Sequence, residues 1–201
     1  MHKGRIEAFS DGVIAIIITI MVLELKVPHG NSLADLVPLL PVFLSYLLSF
    51  IFVGIYWVNH HHLFQAVHSV SGGALWANMH LLFWLSVIPF VTNWMGESHG
   101  GTVPVALYGV VLLCCAIAYT VLSLTLVKHL GDESPLARAI GADHKGRISL
   151  ALYLAAIPAA FVHTMLAQAL FVSVAIIWLV PDRRIERALA DAPGGKDAQR
   201  G

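Results

Sequence analysis

Charge is what this sequence has least of. Only 12% of its 201 residues are Asp, Glu, Lys or Arg, where a soluble domain carries about 25%. So few charges cannot furnish an ordinary water-facing surface. Basic and acidic side chains number 12 each and cancel to a formal net charge of zero, so no basic face is available for nucleic acid. Cysteine is scarce too. Cys114 and Cys115 are neighbours in an apolar run, which rules out a disulfide framework. Adjacent side chains point about 100° apart on a helix, so the two read as small apolar fillers rather than a shared metal site. Also missing are a hydrolase elbow, a phosphate-cradling glycine loop and a pair of intramembrane carboxylates. The chain therefore reads as no enzyme, with no cofactor.

What is present is apolar sequence, 58% of the chain, spread from end to end. About 20 apolar residues cross a hydrocarbon core. Lys3 and Arg5 precede such a stretch, but it ends in Leu23-Glu24-Leu25-Lys26-Val27-Pro28 with no small-residue cleavage site, so it reads as a retained first span. The expected spans are about 9–25, 36–58, 75–95, 103–127, 148–163 and 167–180. Pro38 and Pro41 stand near the start of the second, where proline is tolerated, and Pro89 is a kink candidate in the third. The last two spans come from one apolar run, 148–180. As one straight helix it would be roughly 50 Å long, against a core of about 30 Å, so it is expected to turn near His163 to Gln168.

Charge placement sets the orientation. With the N-terminus inside, Lys3, Arg5, Lys128, Arg138, Lys145, Arg147, Arg183, Arg184, Arg187, Lys196 and Arg200 are cytoplasmic, and only Lys26 is outside. This asymmetry follows the positive-inside rule and requires an even number of spans. The expectation is an all-α integral membrane protein of six transmembrane helices, both termini cytoplasmic. Its membrane domain is 1–190 and its disordered tail 191–201. The connector from Lys128 to Arg147 mixes signs and carries Gly131, Pro135, Gly141 and Gly146, as a solvated loop would.

The polar residues inside spans carry the information. The first helix opens Arg5-Ile6-Glu7-Ala8-Phe9-Ser10-Asp11-Gly12. Arg5 and Asp11 sit roughly 120° from facing each other, so their partners belong on neighbouring helices or subunits. The plainer reading is a helix cap by Ser10 or Asp11. Ile16, Ile20 and Leu23 share one face, Thr19 lies beside it, and Asp11 is roughly 140° away from Ile16. A lipid-facing stripe is the plainer reading there. The second helix ends in Trp57-Val58-Asn59-His60-His61-His62. Consecutive histidines fan around a helix, and no His-Glu-x-x-His pattern accompanies them. His68 is isolated. No metal is expected. Instead one histidine faces inward and bonds across helices. Asn78 and His80, and His163 with Gln168, are further intramembrane polar groups, of the kind that face a bundle interior or glue helices together. Asn78 lies at the depth of Arg5 and Asp11.

Taken together, Arg5-x-x-x-Phe9-Ser10-Asp11 at the head of the first helix resembles the hallmark of the transmembrane protein 175 family of potassium channels. Trp57-x-x-x-His61, Asn78 and Leu85-x-x-x-Pro89-Phe90 are similar to its accompanying patterns. Motifs cover about the first 95 residues, and span count covers the rest. The resemblance implies a six-helix repeat without a Thr-Val-Gly-Tyr-Gly filter, a string this chain lacks. It implies a bacterial single-repeat form in the plasma membrane, a homotetramer with the first helix lining the pore. The family's hydrophobic constriction begins five residues after the motif aspartate, at Ile16, and continues at Ile20 and Leu23. A threonine found in some bacterial relatives matches Thr19. The implied function is a leak-type potassium-selective channel whose permeant ion is K+. Its pore helix would be supported by Arg5, Phe9, Ser10, Asp11, Trp57, His61 and Asn78, with Arg5, Ser10 and Asp11 touching His61 and Asn78, and Glu24 would stand at the outer mouth. The alternative is a proton-permeable or proton-coupled transporter, since 11 histidines offer groups that titrate near neutral pH. A membrane protein without transport is a further reading.

Overall fold

The computed structural model describes residues 3–67, 69–131, 134, 136–137, 140 and 143–179. His68, Arg138, Pro135, Gly141, the basic residues after position 180 and the tail 191–201 lie outside the described residues. Within them the chain forms α1 (Lys3–Leu23), a 3₁₀ segment (Leu33–Leu39), α2 (Leu40–Gln65), α3 (Gly72–Glu97), α4 (Thr102–Leu130), α5 (His144–Val162) and α6 (Thr164–Leu179). The described residues hold these six α-helices, further helical residues at 136–137 and 140, and no strand. Five of the segments are long and apolar enough to cross a membrane by length and composition, with α6 a shorter apolar helix. The protein is a multi-pass all-α membrane protein.

Local chemistry explains the punctuation. Pro41 sits in the first turn of α2, where its missing N–H costs no helical bond. Ser71 caps α3, its hydroxyl accepting from the Ala74 amide at 3.3 Å. α3 continues through Pro89 as one helix to Glu97. α4 stops at Gly131, whose φ of 93° is open to glycine and strained for other residues. The apolar run 148–180 breaks at His163, where the backbone turns extended (φ −160°, ψ 118°). The His163 amide still bonds the Ala159 carbonyl at 2.8 Å, closing the last turn of α5. Two helices of 19 and 16 residues replace one that would overrun the bilayer.

α4 is the central post, packing on α3, α5 and α6. Its Tyr108, Leu112, Cys115, Leu122 and Leu126 are all fully enclosed. A buried hydroxyl cluster fastens α2, α3 and α4 to one another. Ser49 lies 2.7 Å from Thr92 and 2.9 Å from Tyr108, and Thr92 also donates to the Ile88 carbonyl. Such pairs hold helices together where the apolar surroundings give no hydrophobic preference for association. Gly96 lets α3 pass close to α2, since a Cβ there would lie 2.7 Å from the Cα of Val42.

α1 is different. It packs chiefly on α3 and α2 at the edge of the bundle. One stripe, Ile6, Ser10, Ile14, Ile17 and Met21, is buried at helical spacing. On the opposite side, Ala15, Ile16, Thr19, Ile20 and Leu23 are exposed.

Candidate functional site

The exposed side of α1 carries the expected constriction residues. Ile16 is 58% exposed, Ile20 42% and Leu23 80%, whereas their neighbours Ile14, Ile17 and Met21 are exposed by 3% or less. Thr19 is exposed on the same side. Its hydroxyl donates to the Ile16 carbonyl at 2.9 Å. That bond consumes the hydroxyl's only proton and leaves its oxygen lone pairs available as acceptors.

The rotation of α1 is fixed at its polar end. Ser10 is fully buried and accepts from the Asn78 side-chain amide of α3 at 2.9 Å. The Asn78 carbonyl oxygen lies 2.8 Å from His60 Nε2 on α2. His60 in turn stacks on Phe64, ring centroids 4.5 Å apart. Three helices are thereby joined by one enclosed chain of polar groups. The histidine in this chain is His60, where His61 was expected. Val53, Tyr56, His60, Leu63 and Phe64 form the buried stripe of α2. Trp57 and His61, one residue further round, share the adjacent exposed stripe. Trp57 donates its indole N–H to Asp11 Oδ1 at 3.0 Å. His61 stacks beside that indole and lies 2.9 Å from Gln65 Nε2. Asp11 thus meets Trp57 rather than His61 or Asn78. Arg5 and Phe9 both point away from the bundle, and among the described residues Arg5 makes no hydrogen bond or ion pair.

Two other expectations are corrected. His80 does not face the interior: it is exposed on α3 and accepts from the Trp84 indole at 2.9 Å, one turn along the same helix. His163 is exposed at the α5–α6 break, where its Nδ1 accepts from the Met165 amide at 3.3 Å. Among the described residues no three of His, Cys, Asp and Glu converge as a metal site would require.

An open groove of about 840 Å³ runs between α1 and α3. Ile16, Ile20 and Glu24 form one wall, and Ser86, Phe90, Asn93 and Glu97 form the other. Glu24 accepts from the Asn93 amide at 3.0 Å, and Lys26 pairs with Glu97 at 2.9 Å. Asn93 and Glu97 were not singled out in the sequence. Their i, i+4 spacing, at the same end of α3 as Glu24 and Lys26 at the end of α1, was the available signal.

Comparison with known proteins converges on one family. The family model described as endosomal/lysosomal potassium channel TMEM175 matches residues 5–89. A protein of Chryseobacterium sp. named as a potassium channel is 55% identical over 191 residues, covering 95% of this chain and 100% of that one. Another of that name from Streptomyces collinus is 36% identical over 151 residues, covering 69% of this chain and 73% of its own length. The crystal structure of a lysosomal potassium-selective channel TMEM175 homolog from Chamaesiphon minutus matches with a TM-score of 0.78 at 32% identity, covering 89% of this chain and 96% of that one.

Proposed function

The chain belongs to the endosomal/lysosomal potassium channel TMEM175 family, and from that premise we propose that it is a potassium-selective cation channel of the bacterial plasma membrane. Four copies surround one pore, each contributing its first helix. The observation that carries this reading is the exposed Ile16–Ile20–Leu23 stripe on an edge helix whose opposite face is packed. Among the described residues the interior of the subunit is a packed apolar core, which leaves the exposed stripe to line a path between copies.

The mechanism follows from the side chains. Four copies each of Ile16, Ile20 and Leu23 make narrow apolar rings. An apolar constriction gates by dewetting, and an ion sheds part of its hydration to pass. Potassium holds its water less tightly than sodium, so the same bottleneck retards sodium more. Thr19 offers acceptor lone pairs within this stretch, which offset part of the dehydration cost. Glu24, four residues beyond Ile20, raises cation concentration at the mouth. The Ser10–Asn78–His60 chain and the Trp57–Asp11 bond hold the pore helix in register. The basic residues then place both termini in the cytoplasm.

Planar-bilayer recording with potassium on one side and sodium on the other tests the reading, together with the mass of the detergent-solubilised particle. A reversal potential favouring potassium and a mass of four subunits are the expected results. A reversal potential that follows an imposed pH gradient instead would establish the proton-permeable alternative.

A further inference from the structure

We propose that Asn93 is the positioning residue for Glu24, and that the Lys26–Glu97 ion pair holds a competing cation away from it, so that α3 sets the charge of the pore mouth. The proposal rests on the channel reading above. Glu24 stands in the turn just past Leu23, the last residue of α1, so it is the first ionisable group beyond the apolar stripe. It also lines the same groove as Ile16 and Ile20. The nearest cation in sequence is Lys26, and a neutralised mouth would be the simple outcome. The geometry avoids it: the Lys26 ammonium lies 2.9 Å from Glu97 Oε1. Glu24 is held instead by a neutral partner, the Asn93 amide at 3.0 Å.

The orientation of that amide is dictated by chemistry. A carboxylate only accepts, so the NH2 of Asn93 must face Glu24. Its carbonyl oxygen is buried and has no hydrogen-bond partner among the described residues. An unsatisfied buried acceptor costs stability, and its retention points to a requirement at the other end of the side chain. Asn93 and Glu97 stand one turn apart on α3, so the rungs 24–93 and 26–97 run side by side. In each copy Lys26 and Glu97 cancel, and Glu24 remains the uncompensated charge. Around a four-fold pore this makes a ring of four carboxylates at fixed radius, which attracts potassium at low ionic strength and loses reach as salt screens it.

Single-channel potassium conductance of the full chain, compared in about 10 mM and about 1 M KCl, tests this, because the Debye length shrinks from about 30 Å to about 3 Å between them. At low salt Glu24→Gln should lower conductance roughly threefold and Asn93→Leu roughly twofold, with Asn93→Gln restoring part of the loss. Lys26→Gln, which releases the Glu97 charge, should raise low-salt conductance by roughly twofold. All four variants should match wild type at high salt, which also shows that they fold. A clasp with no electrostatic role predicts the reverse for Lys26→Gln: breaking it lowers conductance at both salts, and that result overturns the proposal. Unchanged low-salt conductance in Glu24→Gln overturns it as well. Failure of the channel reading looks different, because then wild type itself passes no current.

Discussion

The Trp57 indole N–H lies 3.0 Å from Asp11 Oδ1, and this bond joins the exposed stripe of α2 to the polar head of α1. Beside it, Ser10 is drawn inward by Asn78. On a helix with Ser10 inward, Ile17 falls within about 20° of the same direction, and Ile16, Thr19 and Leu23 fall about 120–180° away. The two bonds therefore decide which isoleucine is packed and which is presented. A turn of one residue would exchange Ile16 with Ile17.

Trp57→Phe should leave the fold intact, because the indole is exposed and the ring contact with His61 survives. The lost bond is worth about 0.5–1.5 kcal/mol. The expected result is a small drop in thermal stability in detergent together with more variable conductance, reflecting looser rotation of α1. Differential scanning fluorimetry and single-channel recording on one preparation check it.

Ser10→Ala acts inside the bundle. It leaves one Asn78 amide hydrogen without a partner in an enclosed site, at a cost of about 1–3 kcal/mol. His60→Phe similarly orphans the Asn78 carbonyl oxygen. The double variant Ser10→Ala with Asn78→Leu should cost less than the sum of its parts, because both single variants break the same Ser10–Asn78 bond. Thermal denaturation of wild type, Ser10→Ala, Asn78→Leu and the double variant measures this.

Much of the fold was legible in the sequence because bilayer thickness and the charge asymmetry of loops are strong constraints. The break in the apolar run 148–180 follows from length alone, and the structure puts it at His163. Which histidine turns inward was harder. His60, His61 and His62 are chemically identical, and only the phase of the α2 stripe set by Val53, Tyr56 and Leu63 selects His60. His80 was misread for a similar reason: a polar group in a span was assumed to need another helix, whereas Trp84 satisfies it one turn away. Asn93 escaped notice because its importance lies in what it touches, Glu24, across 69 positions of sequence.

Gly96→Ala tests the close approach of α2 and α3. The added Cβ would meet backbone, 2.7 Å from Val42 Cα, so the helices must separate. A loss of about 1–3 kcal/mol is expected from such overpacking. Because Glu97 is the next residue, the Lys26 pair should weaken as well. Thermal stability and low-salt conductance should both fall in this variant.

Thr19→Val keeps the shape and removes the hydroxyl. If the acceptor lone pairs offset dehydration, potassium conductance should fall by about 3–10-fold, corresponding to a barrier increase near 1 kcal/mol. Ile16 is untouched, so the preference for potassium over sodium should persist. Conductance equal to wild type would remove Thr19 from the conduction path.

If the exposed stripe of α1 forms the dehydrating constriction, Ile16→Asn should disturb it at its first residue. Potassium and sodium fluxes would be measured in liposomes containing purified wild-type or variant protein. Potassium flux above sodium flux is expected in wild type, with the preference reduced when an amide replaces the apolar side chain at Ile16. An unchanged preference in the variant would contradict the constriction, and absence of flux from both folded proteins would contradict the channel itself.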